Sequence, residues 1–198
     1  MEVIKDINQG DDEWFALRIG SLGGSSIKDA VAGGTGATRK KLLYRLAGEI
    51  LSGEKYSGFT NEHMERGVLL EDEARQTYSF LEGVEVEQVA MFKYSEHEHY
   101  SPDGCIGNNG IIEIKCTIPS VHIETIISDK VPAAYRKQVA WGLREKEFCD
   151  FISYSPTVKD RPIWIKRTFR DDKLIKTLKE GAKKFIEEML AIVEKIRP

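Results

Sequence analysis

The chain has 198 residues, 41% hydrophobic and 31% charged, enough for a real core and too apolar for a disordered segment. A formal net charge of −3 excludes a surface coated in basic patches, although a phosphate-binding channel needs only local clusters of Arg and Lys. No apolar run reaches the roughly 18 residues of a membrane span, and the opening MEVIKDINQGDDEW lacks the basic-then-apolar order of a signal peptide, so a cytoplasmic location is expected.

In chain order, DDEWFALRIG predicts a short helix with Asp11 or Asp12 as its cap. The glycine- and serine-rich GSLGGSSIKDAVAGG turns into a second short helix capped by Ser25 or Ser26. ATRKKLLYRLAGEIL is an amphipathic helix, with Leu42, Leu43, Leu46 and Ile50 on one side and cations on the other. YSGFTN is a loop. A longer helix spans about 62–81 and is closed by Gly83. VEVEQVAMFKYS alternates as a strand, and HYSPDGCIGNNGIIEIKC supplies two more strands around the turn signal GNNG. His97 and His99 fall in a polar stretch and are expected to be solvated. PSVHIETIIS and PAAYRKQVAWGLRE are helical, the second with Pro132 at its first position. FCDFISYSP and RPIWIKRTF are strands, and the chain closes on an amphipathic helix bearing Leu174, Leu178, Phe185, Met189 and Ile192. This order predicts an α/β (α+β) fold with a central mixed sheet flanked by helices, and no linker divides it. Cys105, Cys116 and Cys149 lack zinc spacing and read as core residues in a reducing compartment.

The chemistry concentrates in the hairpin. In GIIEIKC, alternation sends Ile112, Ile114 and Cys116 to one face and Glu113 with Lys115 to the other. Asp103, on the preceding strand, can come beside Glu113. Two close carboxylates repel unless a cation sits between them. Oxygen ligands suit Mg²⁺ or Mn²⁺, and Lys115 is placed to position or deprotonate an attacking water. The plainer alternative is a solvent-facing strand with a Glu–Lys pair and a turn-forming PDG.

A third acid bears on that choice. Glu71 lies at helical spacing from Met64, Val68, Ala74 and Tyr78, on the inward stripe of its helix. An unpaired inward carboxylate is costly, so a cation is implied, or an ion pair with Arg75 or Arg66.

With these residues in place, RGVLLEDEAR…SPDG…IIEIKC…YRKQVAWGL resembles the phage-type alkaline exonucleases, the lambda exonuclease and YqaJ-like viral recombinases of the PD-(D/E)XK nuclease superfamily, over most of the chain. The resemblance implies the restriction-endonuclease-like core of that superfamily. It also implies that Glu71, Asp103, Glu113 and the Ile114 carbonyl are metal ligands, with two Mg²⁺ ions expected. Lys115 would act on the attacking water, helped by Gln138, and Ser101 would lie near the scissile phosphate. WFALRIGSLGGSSI adds Arg18 and Ser25, which by resemblance hold a terminal 5′-phosphate. A guanidinium grips phosphate bidentately, and a serine at a helix start adds further donors. Arg18 as a surface residue and Ser25 as a plain cap is the alternative.

What the resemblance implies is a single nuclease domain over 1–198, with a 5′-phosphate pocket from about 1–60 and a closing helix over about 171–196. The implied activity is a 5′→3′ exonuclease that digests one strand of linear double-stranded DNA to 5′-mononucleotides and leaves a 3′ overhang. The implied partners are linear duplex DNA and a single-strand annealing recombinase, in a phage or prophage setting, with three copies in a ring. Arg39, Lys40, Lys41, Arg45, Arg136 and Lys137 would line the DNA path, and Leu69 or Leu70 would stand near the fork. Competing readings are a restriction-type endonuclease, a CRISPR-associated iron–sulfur nuclease (disfavoured by the cysteine spacing) and a DNA-end-binding protein without catalysis.

Overall fold

The computed structural model describes residues 1–33, 36–56 and 62–198, with backbone only over 62–68. Met64, Arg66 and Val68 therefore lie outside the described side chains, and much of the YSGFTN loop lies outside the described residues.

A four-stranded mixed sheet organises the molecule, in the order β4-β5-β6-β7: Gly104–Ile106, Gly110–Cys116, Phe148–Tyr154 and Ile163–Phe169. β4 and β5 form the anticipated hairpin around Gly107, whose φ of +52° suits a residue without a Cβ. β5 then runs parallel to β6 over its full length, from Gly110↔Phe148 to Cys116↔Tyr154. A parallel partner requires a long crossover, here α5 (Pro119–Ser128) and α6 (Ala133–Gly142). β7 returns antiparallel to β6.

The expectation of a central mixed sheet flanked by helices holds, with one addition. A second, three-stranded antiparallel sheet joins β1 (Glu2–Ile4), β2 (Met91–Ser95) and β3 (Glu98–Tyr100). β1 carries no readable pattern in three residues; its strand character comes from pairing with β2. The expected strand beginning at Val84 starts only at Met91, and the residues before it make a single bridge, Glu87↔Cys105.

Both faces of β5 are buried. Ile111 faces a core with Trp141, Cys149, Phe151 and, from α7 (Asp172–Ile196), Phe185 and Met189. Ile112 and Ile114 face Ala74 and Tyr78 of α4 (Glu62–Glu82). Gly83, at φ +64°, ends α4. The buried stripe of α7 runs Ile175, Leu178, Ala182, Phe185, Met189 and Val193, so Leu174 and Ile192 are its half-buried margins.

The N-terminal elements are α1 (Asp12–Ala16), a 3₁₀ turn over Gly24–Ser26, α2 (Ile27–Ala30) and α3 (Ala37–Ser52). Neither predicted cap is made by a side chain here. Asp11 stands at the N-cap of α1 but accepts from Asn8 Nδ2 instead, and Ser26 precedes α2 without a capping bond. Pro132 is the N-cap residue of α6, one position earlier than expected. Cys105 and Cys149 are buried as expected, and Cys116 is half-buried. Among the described residues no helix is long and apolar enough to cross a membrane.

Candidate active site

Asp103 stands one residue before β4. Its N–H donates to the Ile112 carbonyl (3.3 Å), and its Oδ2 accepts the Ile114 N–H (2.5 Å). β4 ends its pairing at Gly104↔Ile112, so Ile114 lies beyond the ladder on that edge. A strand residue turns its N–H and C=O to the same edge, so the Ile114 carbonyl is on the Asp103 side.

Glu113 points, with Lys115, to the face opposite Ile112 and Ile114, as the alternation requires. It is 1% exposed and fully engaged. Oε1 accepts from Lys115 Nζ and from Gln138 Nε2 (2.5 Å), and Oε2 accepts from the Tyr100 hydroxyl (2.5 Å). The plain reading of a solvent-facing Glu–Lys pair does not describe this geometry. Burial opposes the Lys115 ammonium, but the charges of Glu113 and Asp103 more than offset it and push its pKa up. Held this way, Lys115 is a donor that can position a water.

Glu71 completes the group only in part. Arg75, one turn along α4, holds its Oε1 at 2.8 Å, and the same guanidinium binds Asp72 (2.9 Å) and the Asp103 carbonyl (2.7 Å). The Arg75 ion pair is thus realised, while the Arg66 side chain lies outside the described ones. Burial raises the Glu71 pKa, Arg75 and Lys115 oppose it, and Glu113 adds to it. Asp103 is pushed well up, first by burial and then by Glu113, with Glu71 contributing and Lys115 and the Ile114 N–H opposing. Glu71 and Asp103 thus each feel both the Glu113 and the Lys115 charge. Among the described residues, however, no three acidic, histidine or cysteine side chains are gathered tightly enough to hold one ion as they stand. Asp103 is bonded to the Ile114 N–H, next in the chain to Glu113, and Arg75 holds Glu71.

A cavity of about 300 Å³ opens beside this cluster, lined by Ser25, Lys28, Lys115, Tyr135 and Gln138. A second, of about 130 Å³, is lined by Arg18, Ser25, Arg45, Lys55 and His99, with the carboxylate of Glu49 also in its wall. Ser25 is exposed and belongs to both walls. The larger cavity of about 470 Å³, between α6, β7 and the start of α7, holds Arg136 and Lys166 but none of the acids.

In the small cavity the Arg18 guanidinium stacks on Trp14 (3.8 Å to the ring centroid) and donates from Nε to His99 Nε2 (3.1 Å). Burial lowers its pKa to about 10, with Glu49 countering and Arg45 adding. Lys55 falls to about 8, from burial and then the Arg18 charge. Arg18 is no free surface residue. Ser101 accepts from Trp14 Nε1 (3.2 Å), and Gln9 donates to the Pro102 carbonyl (2.8 Å), so the N-terminal segment straps the SPDG turn.

The structure corrects other expectations. His99 is buried rather than solvated, and His97 is half-buried on the Gly20 carbonyl. Arg39 is committed to a bidentate pair with Glu188 (2.8 and 2.9 Å) and to the Ala30 carbonyl, so it is not spare charge for a DNA path. Leu69 is 80% exposed, whereas Leu70 packs on the α4 side of the sheet. The sequence reading missed Tyr100, His99 and Lys55. Tyr100 and His99 stand beside SPDG, and their neighbourhood to that motif was the available signal; Lys55 offered none.

Compared with known proteins, residues 13–144 match the family model of the YqaJ-like viral recombinase domain. The fold is similar to an alkaline exonuclease from Laribacter hongkongensis, at 32% identity, over 94% of this chain and 96% of that one. The TM-score is 0.87, and 0.88 for the same protein in complex with dAMP. A phage-related exonuclease from Haemophilus somnus 129PT shares the fold at 15% identity, with TM-score 0.66, 89% of this chain and 96% of that one covered. No curated protein matches the sequence.

Proposed function

This chain belongs to the YqaJ-like viral recombinase family, and on that premise we propose that it is a metal-dependent 5′→3′ exonuclease, one nuclease domain that digests one strand of linear duplex DNA to 5′-mononucleotides. One observation carries the reading. Ser25 is shared by two cavities, one presenting the cationic Arg18, Arg45 and Lys55, the other presenting Lys115 and Gln138 beside Glu113. A terminal phosphate in the first would leave the next phosphodiester near the second.

The donor chemistry fits a divalent cation. Asp103, Glu113, Glu71 and the Ile114 carbonyl are hard oxygen donors; burial, with the like charge of Glu113 adding, raises Asp103 and Glu71, and a cation would favour their ionised forms. Glu71 would exchange Arg75 for the ion. When bound, Mg²⁺ or Mn²⁺ supplies Lewis acidity to the attacked phosphate and its water. Lys115 and Gln138 orient that water. Tyr100 fixes Glu113 from behind, so that its charge keeps one direction. Water adds to phosphorus as the P–O3′ bond breaks, and a proton passes to the leaving 3′-oxygen. The first nucleotide departs and the shortened strand keeps a 5′-phosphate. A 3′-ended strand for an annealing recombinase, a ring of three copies, and the cytoplasm of a phage-bearing host follow from the resemblance in the SPDG, IIEIKC and YRKQVAWGL motifs.

The test is incubation with Mg²⁺ and linear duplexes bearing 5′-phosphate or 5′-hydroxyl ends, beside a closed circle. Selective loss of the phosphorylated strand is expected. Cleavage of the circle would make the protein an endonuclease, and unaltered DNA throughout would leave an end-binding protein.

A further inference from the structure

His99 is 3% exposed and both ring nitrogens are used. Nδ1 lies 2.8 Å from Ser21 Oγ, and Nε2 lies 3.1 Å from Arg18 Nε. An arginine N–H can only donate. Nε2 therefore offers its lone pair, the ring proton sits on Nδ1, and that proton is donated to Ser21 Oγ. The backbone at His99 is equally fixed. Its N–H reaches the Leu22 carbonyl (3.1 Å), and its carbonyl accepts from Trp141 Nε1 (2.9 Å). Gly23 permits the approach, since a Cβ there would sit 2.6 Å from Nε2.

The Arg18 guanidinium is thus held in its plane by Trp14 and about its axis by His99. Among the described residues no side chain pairs with its terminal nitrogens. The nearby carboxylate is otherwise engaged: Glu49 accepts the Gly20 N–H (3.0 Å) and lies 3.9 Å from Arg45.

We propose that His99 is a positioning residue for end recognition, orienting Arg18 so that both terminal nitrogens meet a phosphate monoester. This rests on reading the Arg18 cavity as the end-phosphate site. The choice of side chain has a reason. A carboxylate in this place would orient the guanidinium but also cancel its charge and compete for the donors the phosphate needs. A neutral acceptor orients without neutralising. Burial, with the Arg18 and Lys55 charges adding, holds the ring's pKa down to about 3, so it remains that acceptor throughout the range in which DNA is handled.

The experiment compares wild type with His99→Ala, His99→Asn, His99→Gln and Arg18→Ala on 5′-phosphate and 5′-hydroxyl duplexes, reading kcat and KM for each. Gln places an acceptor where Nε2 stood, and Asn places one where Nδ1 stood. The KM for phosphorylated ends should rise about tenfold in His99→Ala and His99→Asn, and His99→Gln should recover most of it. Equal behaviour of Asn and Gln, or an intact phosphate preference in His99→Ala, overturns the proposal. If Ala does not fold, the Asn and Gln pair still decides. Arg18→Ala separates the two levels. Should it keep the phosphate preference, the cavity is not the end site. Should it lose the preference while His99→Asn retains it, only the role given to His99 fails.

Discussion

Changing Glu113 to Gln keeps the shape of the side chain and removes one charge. Three donors now converge on Glu113, from Tyr100, Lys115 and Gln138. The new amide still accepts from Gln138, and the Tyr100 hydroxyl can turn to accept from its NH₂. Lys115, only 24% exposed, loses its direct ion-pair partner and keeps the field of Asp103. Removing one partner of a buried pair costs about 3–5 kcal/mol, and the residual exposure of Lys115 places this case at about 3 kcal/mol. For a chain of this size that lowers Tm by about 6–12 °C. Lys115→Met alone should cost a similar amount by stranding the carboxylate. The double variant, with neither charge, should return to within about 1 kcal/mol of wild type. Calorimetry reads stability, and digestion of a 5′-phosphorylated duplex in Mg²⁺ reads activity, which should fall roughly 100-fold or more in all three. A single Glu113→Gln variant with an unmoved Tm would refute the buried ion pair. A double variant that recovers activity together with stability would reduce Glu113 to a folding role.

Asp103→Asn tests the field around the acids. The folded pKa of Asp103 is raised, so above about pH 4 the folded chain holds a proton that the unfolded chain has lost, and stability falls as pH climbs toward the folded value. Asn cannot ionise. The metal-free variant should therefore lose that part of the decline in Tm with pH, and should also lose any Tm gain on adding Mg²⁺. An unchanged pH profile counts against the assignment. Gly142→Ala would place a Cβ 2.5 Å from the Tyr100 ring and 2.8 Å from Ile111. It should disturb the Tyr100 bond to Glu113 and slow digestion; full activity in a folded variant would show that Tyr100 is dispensable.

Strict alternation made the placement of Glu113 and Lys115 readable, because a strand has only two faces. The helical stripe through Ala74 and Tyr78 likewise put Glu71 inward, and an Arg75 pair was among the readings that spacing allowed. What spacing cannot give is the partner across the fold. His99 looks solvent-bound in SEHEHYS, and only the pairing of β3 with β2 and the Leu22 bridge turns it toward Arg18. Arg39 shows the converse. On its own helix it is one cation among several, and its commitment to Glu188 depends on how α3 packs against α7.

The turn that carries Ser25 leaves little latitude. A Cβ at Gly24 would lie 2.6 Å from the Tyr100 ring and 3.6 Å from Gln138, so the turn cannot thicken inward. Outward, its serine is common property of two chambers. A bulkier residue there would take volume from both at once, and neither compartment can be enlarged by retreating from the other. Divergence in what the molecule grips must therefore be written into the outer walls, at positions such as Lys28, Arg45 and Lys55, while the partition stays as it is.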